Sequence, residues 1–141
     1  RALGTASIGV IWALLAGFPA DSTVVVEAWF RLPPHDHVLR GLERAGVDGW
    51  VEVWCHANTD VLVARYAART RHPGHPAPEA YVGELRHLNS LAHPMGLAPC
   101  LEVDTTDVVS LDIDAIARWI REGLWSRTMV SARSDRGRSE D

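Results

Sequence analysis

The sequence predicts an α/β fold in which helices cover both faces of a mostly parallel sheet, giving three layers. Three apolar, strand-like runs alternate with segments of helical periodicity along the 141 residues. Strands separated by helices need crossover connections, and such connections make the strands parallel. Hydrophobic residues make up 47% and charged residues 23% of the chain, which is ordinary for a single globular domain.

The first third of the chain contains two predicted helices and one predicted strand. Residues 6–17 are apolar nearly all round, which predicts a buried helix. The β-branched run 23–30 is typical of a fully buried parallel strand, and Pro33-Pro34 ends it. Asp36 can cap a second helix with one apolar face, which Gly46 ends.

The middle of the chain continues the alternation. Residues 50–56 alternate in polarity, which predicts a strand. Asn58 or Thr59 can cap a helix over residues 60–69. The prolines, glycine and histidines of residues 72–76 predict a loop.

The last third of the chain adds two helices, a strand and a tail. Pro78 suits the first turn of a helix, and residues 98–103 form another apolar, strand-like run. Ser110 or Asp112 can cap the final helix. Residues 126–141 are rich in Ser, Arg and Asp without periodicity, so we expect a disordered tail.

The composition also indicates the cellular compartment and the kinds of binding partner to expect. No apolar run approaches the roughly 20 residues that cross a bilayer, and no signal-peptide pattern precedes the domain. We therefore expect a cytoplasmic protein that does not bind membranes. The net charge of -4 argues against a general nucleic-acid surface. Cys55 and Cys100 lie in or beside apolar runs and are predicted to be reduced, buried thiols.

Three arginines give the strongest local signal. Arg65 and Arg69 are four residues apart, so they project from the same helix face, and Arg71 follows beside the predicted loop. Permanently charged guanidinium groups suit a polyanion such as a nucleoside triphosphate. The alternative is a solvated helix face whose arginines pair with nearby carboxylates.

Glu27 lies near the end of the first predicted strand. A carboxylate there is unfavourable unless it is paired or linked to a metal. One interpretation is a ligand of Mg²⁺ through water, as in kinases. The other is an ion pair with Arg31 or Arg40.

A glycine pattern near the start of the chain is not a phosphate-binding loop. Residues 4–9 have the glycine spacing of such a loop, but Val10-Ile11 replaces the required Lys-Ser/Thr pair. All 14 cationic residues are arginine, so the chain cannot supply the lysine that cradles phosphate.

The order of several segments resembles bacterial P-loop kinases, the AAA-type ATP-binding proteins related to zeta toxin, chloramphenicol phosphotransferase and polynucleotide kinase. Residues 24–31, 51–55 and 62–69 are similar to successive elements of the C-terminal part of these proteins. Residues 71–76 are similar to their lid, and residues 101–106 to their last strand and adenine-side loop.

The resemblance implies a P-loop NTPase-like domain over residues 1–125, incomplete at its N-terminus, with a lid at about 69–78. It implies phosphate transfer from ATP, with Mg²⁺, to the hydroxyl of a small molecule that the sequence does not identify. Thr105 and Thr106 would lie close to the base, and Glu27 would lie near the magnesium. The lid arginines that neutralise the transferring phosphoryl group would be Arg65, Arg69 and Arg71. The residues facing the acceptor would be Trp29, Phe30 and Arg31.

The resemblance also implies missing parts. In the family a strand, a P-loop and a strand bearing an acidic base would precede Arg1, which is not a methionine, so we expect a truncated kinase. Because the P-loop supplies much of the positioning, we expect little or no kinase activity from this chain. The alternative is a degenerate, non-catalytic α/β binding or interaction module. A missing central strand would leave residues 24–26 on a sheet edge, and that aggregation liability favours truncation.

Overall fold

Helices and one pair of parallel strands form a small α/β fold, as the alternation of elements predicts. The computed structural model describes residues 2–30, 32–70 and 78–136. The chain divides into two compact units, residues 1–50 and 51–141.

The first unit contains the helices α1 (Ala2–Leu15) and α2 (Asp36–Arg44). The sequence predicts that the first helix is buried all round, and this is wrong. Val10 is 56% and Leu14 is 63% exposed, whereas Trp12 is 7% exposed. The helix is mostly exposed because the contacts that bury it come from one side, through Trp12.

Trp12 organises the core of this unit. Its ring stacks on Phe30 with 5.8 Å between centroids. It lies so close to Gly41 that a Cβ added there would overlap the indole, so α2 needs glycine at this position. Val38, one turn earlier on α2, is fully buried.

The ends of α2 agree with the sequence in position and differ in one cap. Gly46 has a positive φ of 66°, which favours glycine and ends the helix as predicted. The N-cap is His35, without a side-chain cap bond, so the prediction that Asp36 caps the helix is wrong. Asp36 instead lies in the first turn, where a carboxylate favours the helix dipole.

Residues 23–30 do not form the predicted buried strand. They belong to no strand, and Val25 is 86% exposed. A strand exists only when a neighbour accepts and donates its backbone hydrogen bonds, and none of the described residues does so here. The β-branched pattern predicts a strand with hydrogen-bonded neighbours, and the described residues form no such strand here.

Within its described residues, the second unit contains two strands, three α-helices and a short 3₁₀ turn at Val108–Ser110. The elements in chain order are β1 (Glu52–His56), α3 (Thr59–Ala68), α4 (Pro78–Leu91), β2 (Cys100–Asp104) and α5 (Ile113–Arg136). β1 and β2 are parallel, with a register running from Glu52 opposite Cys100 to His56 opposite Asp104. None of the helices within the described ranges combines the length and apolar character needed to cross a membrane.

Helix starts in this unit follow the predicted caps. The Asn58 side chain accepts from the Asp60 amide at 2.9 Å, and the Asp112 side chain accepts from the Ala115 amide at 2.8 Å. α5 continues past residue 126, into the segment predicted to be a disordered tail. Several residues of that segment, including Ala132 and Arg133, are good helix formers.

The two cysteines are free thiols, as predicted, but their burial differs from the prediction. Cys100 is half-buried, and burial raises the pKa of its thiol, with a further contribution from the Glu52 carboxylate. Cys55 is exposed.

Candidate functional site

The carboxyl ends of β1 and β2 lie side by side, with His56 opposite Asp104. In parallel α/β sheets this is the edge at which ligands bind. The loops that leave the two strands here contain Asn58 on one side and Thr105-Thr106 on the other. Of these residues, Thr105 and Thr106 are the ones that the resemblance places near the base.

Thr105 ties the loop after β2 to the last residue of β1. Its amide donates to the carbonyl oxygen of His56 at 2.7 Å. Its hydroxyl donates to the same oxygen at 2.8 Å. The parallel ladder therefore extends one residue beyond the end of the strands.

Thr106 links the two loops through its hydroxyl and bonds to the end of its own strand through its amide. The Asn58 amide donates to Thr106 Oγ1 at 2.9 Å, and the Thr106 amide donates to Asp104 Oδ1 at 2.8 Å. Hydrogen bonds from the Thr106 hydroxyl and amide, aided by the charge of His56, hold the pKa of Asp104 below its ordinary value. Asp104 is thus an anion whose position is fixed by its own loop.

Arg65 reaches the same loop from α3. Its Nη2 donates to the carbonyl oxygen of Thr105 at 2.7 Å and to that of Thr106 at 3.2 Å. The structure thereby brings together three residues that the sequence predicts for the nucleotide site. The carbonyl oxygens of Thr105 and Thr106 are the acceptors, so the predicted pairing with carboxylates does not describe Arg65.

The other two lid arginines differ from Arg65. Arg69 is exposed at the C-cap of α3, one helical turn further along the chain. Arg71 and most of the predicted lid, residues 71–77, lie outside the described residues. The loop predicted over 72–76 lies there too.

The predicted metal and acceptor residues belong to the first unit, whereas Arg65 belongs to the second. Glu27 and Trp29 are exposed on the extended segment, and Phe30 stacks on Trp12. Arg31 lies outside the described residues. Within the described part of the chain Glu27 has no ion pair with Arg40, and no group of three or more His, Cys, Asp or Glu residues is arranged to hold a metal.

A buried carboxylate that sequence reasoning missed supports the base of the strand pair. Glu52, only 7% exposed, accepts from the Met95 amide at 2.6 Å and from the Gly96 amide at 3.2 Å. Gly96 has a positive φ of 68°, which the turn before β2 requires. The amides that donate to Glu52 are more than 40 residues away in sequence, so no local pattern reveals this role.

A groove of about 350 Å³ beside β1 was also not predicted. It lies between the strand pair and the end of α4, and it is lined by Trp54, His56, Asn89, His93, Pro94 and Glu102. Its lining combines an aromatic ring with polar side chains. The groove adjoins the carboxyl end of β1 through His56.

No family model, no curated protein and no solved structure matches the chain.

Proposed function

We propose that the chain is the nucleotide-binding, C-terminal part of a P-loop kinase-like domain that transfers phosphate from ATP to a small-molecule hydroxyl. The observation that carries the proposal is the meeting of Arg65 with the Thr105–Thr106 loop at the carboxyl ends of parallel strands. A loop held in one position next to arginines offers a base a fixed surface to lie against and offers charge to phosphates.

The unpaired β-branched run supports the P-loop NTPase-like, three-layer arrangement that we propose for the complete domain. Residues 23–30 are mostly apolar and mostly exposed, as expected of a strand that lacks its neighbour. A further strand would give them the missing hydrogen bonds. Such a strand is the element that carries the phosphate-binding loop in these kinases.

Roles for the remaining residues follow from their exposure. The exposed carboxylate of Glu27 is available to hold a hydrated Mg²⁺, and the exposed Trp29 is available to an acceptor. Phe30 supports that segment by stacking on Trp12. Arg69 is available to phosphates, and we extend the same role to Arg71.

We propose that the chain by itself binds nucleotide without transferring phosphate. Residues 4–9, which mimic the glycine spacing of a P-loop, lie within α1. The sequence has no lysine to cradle the β- and γ-phosphates. Positioning of the phosphoryl group, on which transfer depends, is therefore incomplete.

The experiment is a calorimetric titration of the 141-residue chain with magnesium-ATP, with Arg69→Gln as the variant and Arg86→Gln as the matched control. Arg86 pairs with the exposed Asp60, at 2.7 Å. We expect weak binding that Arg69→Gln reduces and Arg86→Gln leaves unchanged. Absence of binding at millimolar ATP would contradict the proposal, and phosphate transfer by this chain would contradict its inactivity.

The intact mass of the native protein in its source cells separates the kinase from the non-catalytic module. We expect a longer product whose additional residues include a GxxxxGK[ST] loop. A native product that begins at or near Arg1 would instead favour the binding module.

A further inference from the structure

Arg65 has contacts that differ from those of an arginine aimed at phosphate. One nitrogen, Nη2, donates to the two carbonyl oxygens of Thr105 and Thr106, at 2.7 and 3.2 Å. Both acceptors belong to the protein's own backbone. The guanidinium of Arg65 therefore connects α3 to the loop after β2.

The loop is otherwise held from β1 and its following residue. Thr105 bonds to the His56 carbonyl, and Thr106 accepts from the Asn58 amide. Arg65 adds a tie from α3, a third point that is neither on the loop nor on the strand. Three points fix the orientation of a short loop, whereas two leave it free to rotate about the line joining them.

Arg69 provides the contrast within the same helix. It lies four residues beyond Arg65, at the C-cap of α3, and its side chain is exposed. Among the described residues no hydrogen bond or ion pair holds its guanidinium. Its charge is therefore free to meet a ligand.

We infer that Arg65 is a positioning residue that fixes the Thr105–Thr106 loop for the base, and that Arg69 is the arginine of α3 that contacts the phosphates. The anchoring part stands on the hydrogen bonds alone. The division of labour between the two arginines, with Arg65 serving the base and Arg69 the phosphates, rests on the proposed nucleotide site.

Amide hydrogen exchange of the full chain tests the anchor. In Arg65→Gln we expect exchange at the Asn58 and Thr105 amides to accelerate about three- to tenfold, because an exposed charged donor adds modest stability. Arg65→Lys keeps a donor of similar reach and should recover most of the protection. Arg69→Gln, the matched control, should leave both amides unchanged.

A ligand series tests the division of labour with adenosine, ADP and ATP, the nucleotides with magnesium. Arg65→Gln should weaken all three by the same factor, because it acts through the base end of the site. Arg69→Gln should leave adenosine unchanged and weaken ATP more than ADP. Damage to the fold alone would not produce this split between the two variants.

The outcomes separate the inference from the proposed function. Unchanged exchange in Arg65→Gln would overturn the anchor. A loss in Arg65→Gln that grows with the number of phosphates would overturn the division of labour. If exchange accelerates as expected but the unaltered chain binds none of the three ligands, the anchor is upheld and the proposed nucleotide site is contradicted.

Discussion

Two runs of the chain that the sequence predicts as strands, residues 23–30 and a segment containing Glu52–His56, have different structures. The second run forms a parallel ladder with β2 and carries the candidate site at its end. The first belongs to no strand among the described residues, and Val25 in its centre is 86% exposed. The difference shows that a strand-like sequence forms a strand only where another strand of the sheet pairs with it.

Each of the two units is also stabilised internally by a different kind of interaction. The first depends on one aromatic residue, Trp12, between Phe30 and Gly41. The second adds, to a core that includes Val103, polar ties between distant segments formed by Glu52, Arg65 and Thr106. Variants of each kind should therefore affect one unit and spare the other.

The largest effect is expected from Trp12→Ala, which removes the central ring of the first unit. Loss of a buried aromatic side chain generally costs about 3–5 kcal/mol of unfolding free energy. We expect the Val38 amide, which bonds to the His35 carbonyl, to lose its protection from hydrogen exchange. The Thr105 amide in the second unit should keep its protection.

Trp29→Ala is the control for Trp12→Ala, since Trp29 is 56% exposed. It should change the protection of Val38 little. Equal loss of protection at Val38 and Thr105 in Trp12→Ala would show that the two units unfold together, contrary to the comparison drawn above.

Glu52→Ala should give the largest effect in the second unit. The change leaves the Met95 and Gly96 amides without their acceptor, which costs about 1–3 kcal/mol. Chemical denaturation followed by circular dichroism measures the loss. Glu102→Ala, at an exposed position of β2, should fall within about 0.5 kcal/mol of the unaltered chain.

Thr106→Val tests the tie between the two loops of the site. It removes the acceptor of the Asn58 amide and should cost about 1 kcal/mol. Thr106→Ser retains the hydroxyl and should lose little. If valine and serine have the same effect on Asn58 exchange, the hydroxyl does not hold the loop.

Acid should produce the smallest effect, through Asp104. Because the Thr106 hydroxyl and amide lower the pKa of this carboxyl, its contribution is fully present above the ordinary pKa of an aspartate. It should be lost as the pH falls through the lowered value. Carboxyl chemical shifts measure the titration, and in Thr106→Val the pKa of Asp104 should move upward towards the ordinary value.

Local patterns were sufficient for most helices. Asn58 and Asp112 cap helices as predicted, and Gly46 ends one, because these signals act within a few residues. The edge that contains Asn58 and Thr105-Thr106 follows from parallel topology.

Interactions between distant segments could not be predicted in the same way. The bonds from Arg65 to Thr105 and Thr106 span 40 residues or more, and those of Glu52 span a similar distance. The prediction that the first helix is buried was wrong for a related reason, since an apolar surface does not specify which segment covers it. The run 23–30 has the composition of a buried strand and finds no neighbour among the described residues.

The most direct test of the nucleotide site is a map of amide chemical shifts for the ¹⁵N-labelled chain titrated with magnesium-ATP. We expect the shifts to concentrate at Asn58, Thr105 and Thr106, where the two strands end, and to saturate together with a single affinity. An unchanged spectrum, or shifts confined to other parts of the chain such as the groove at Trp54 and His93, would contradict a nucleotide site at this edge.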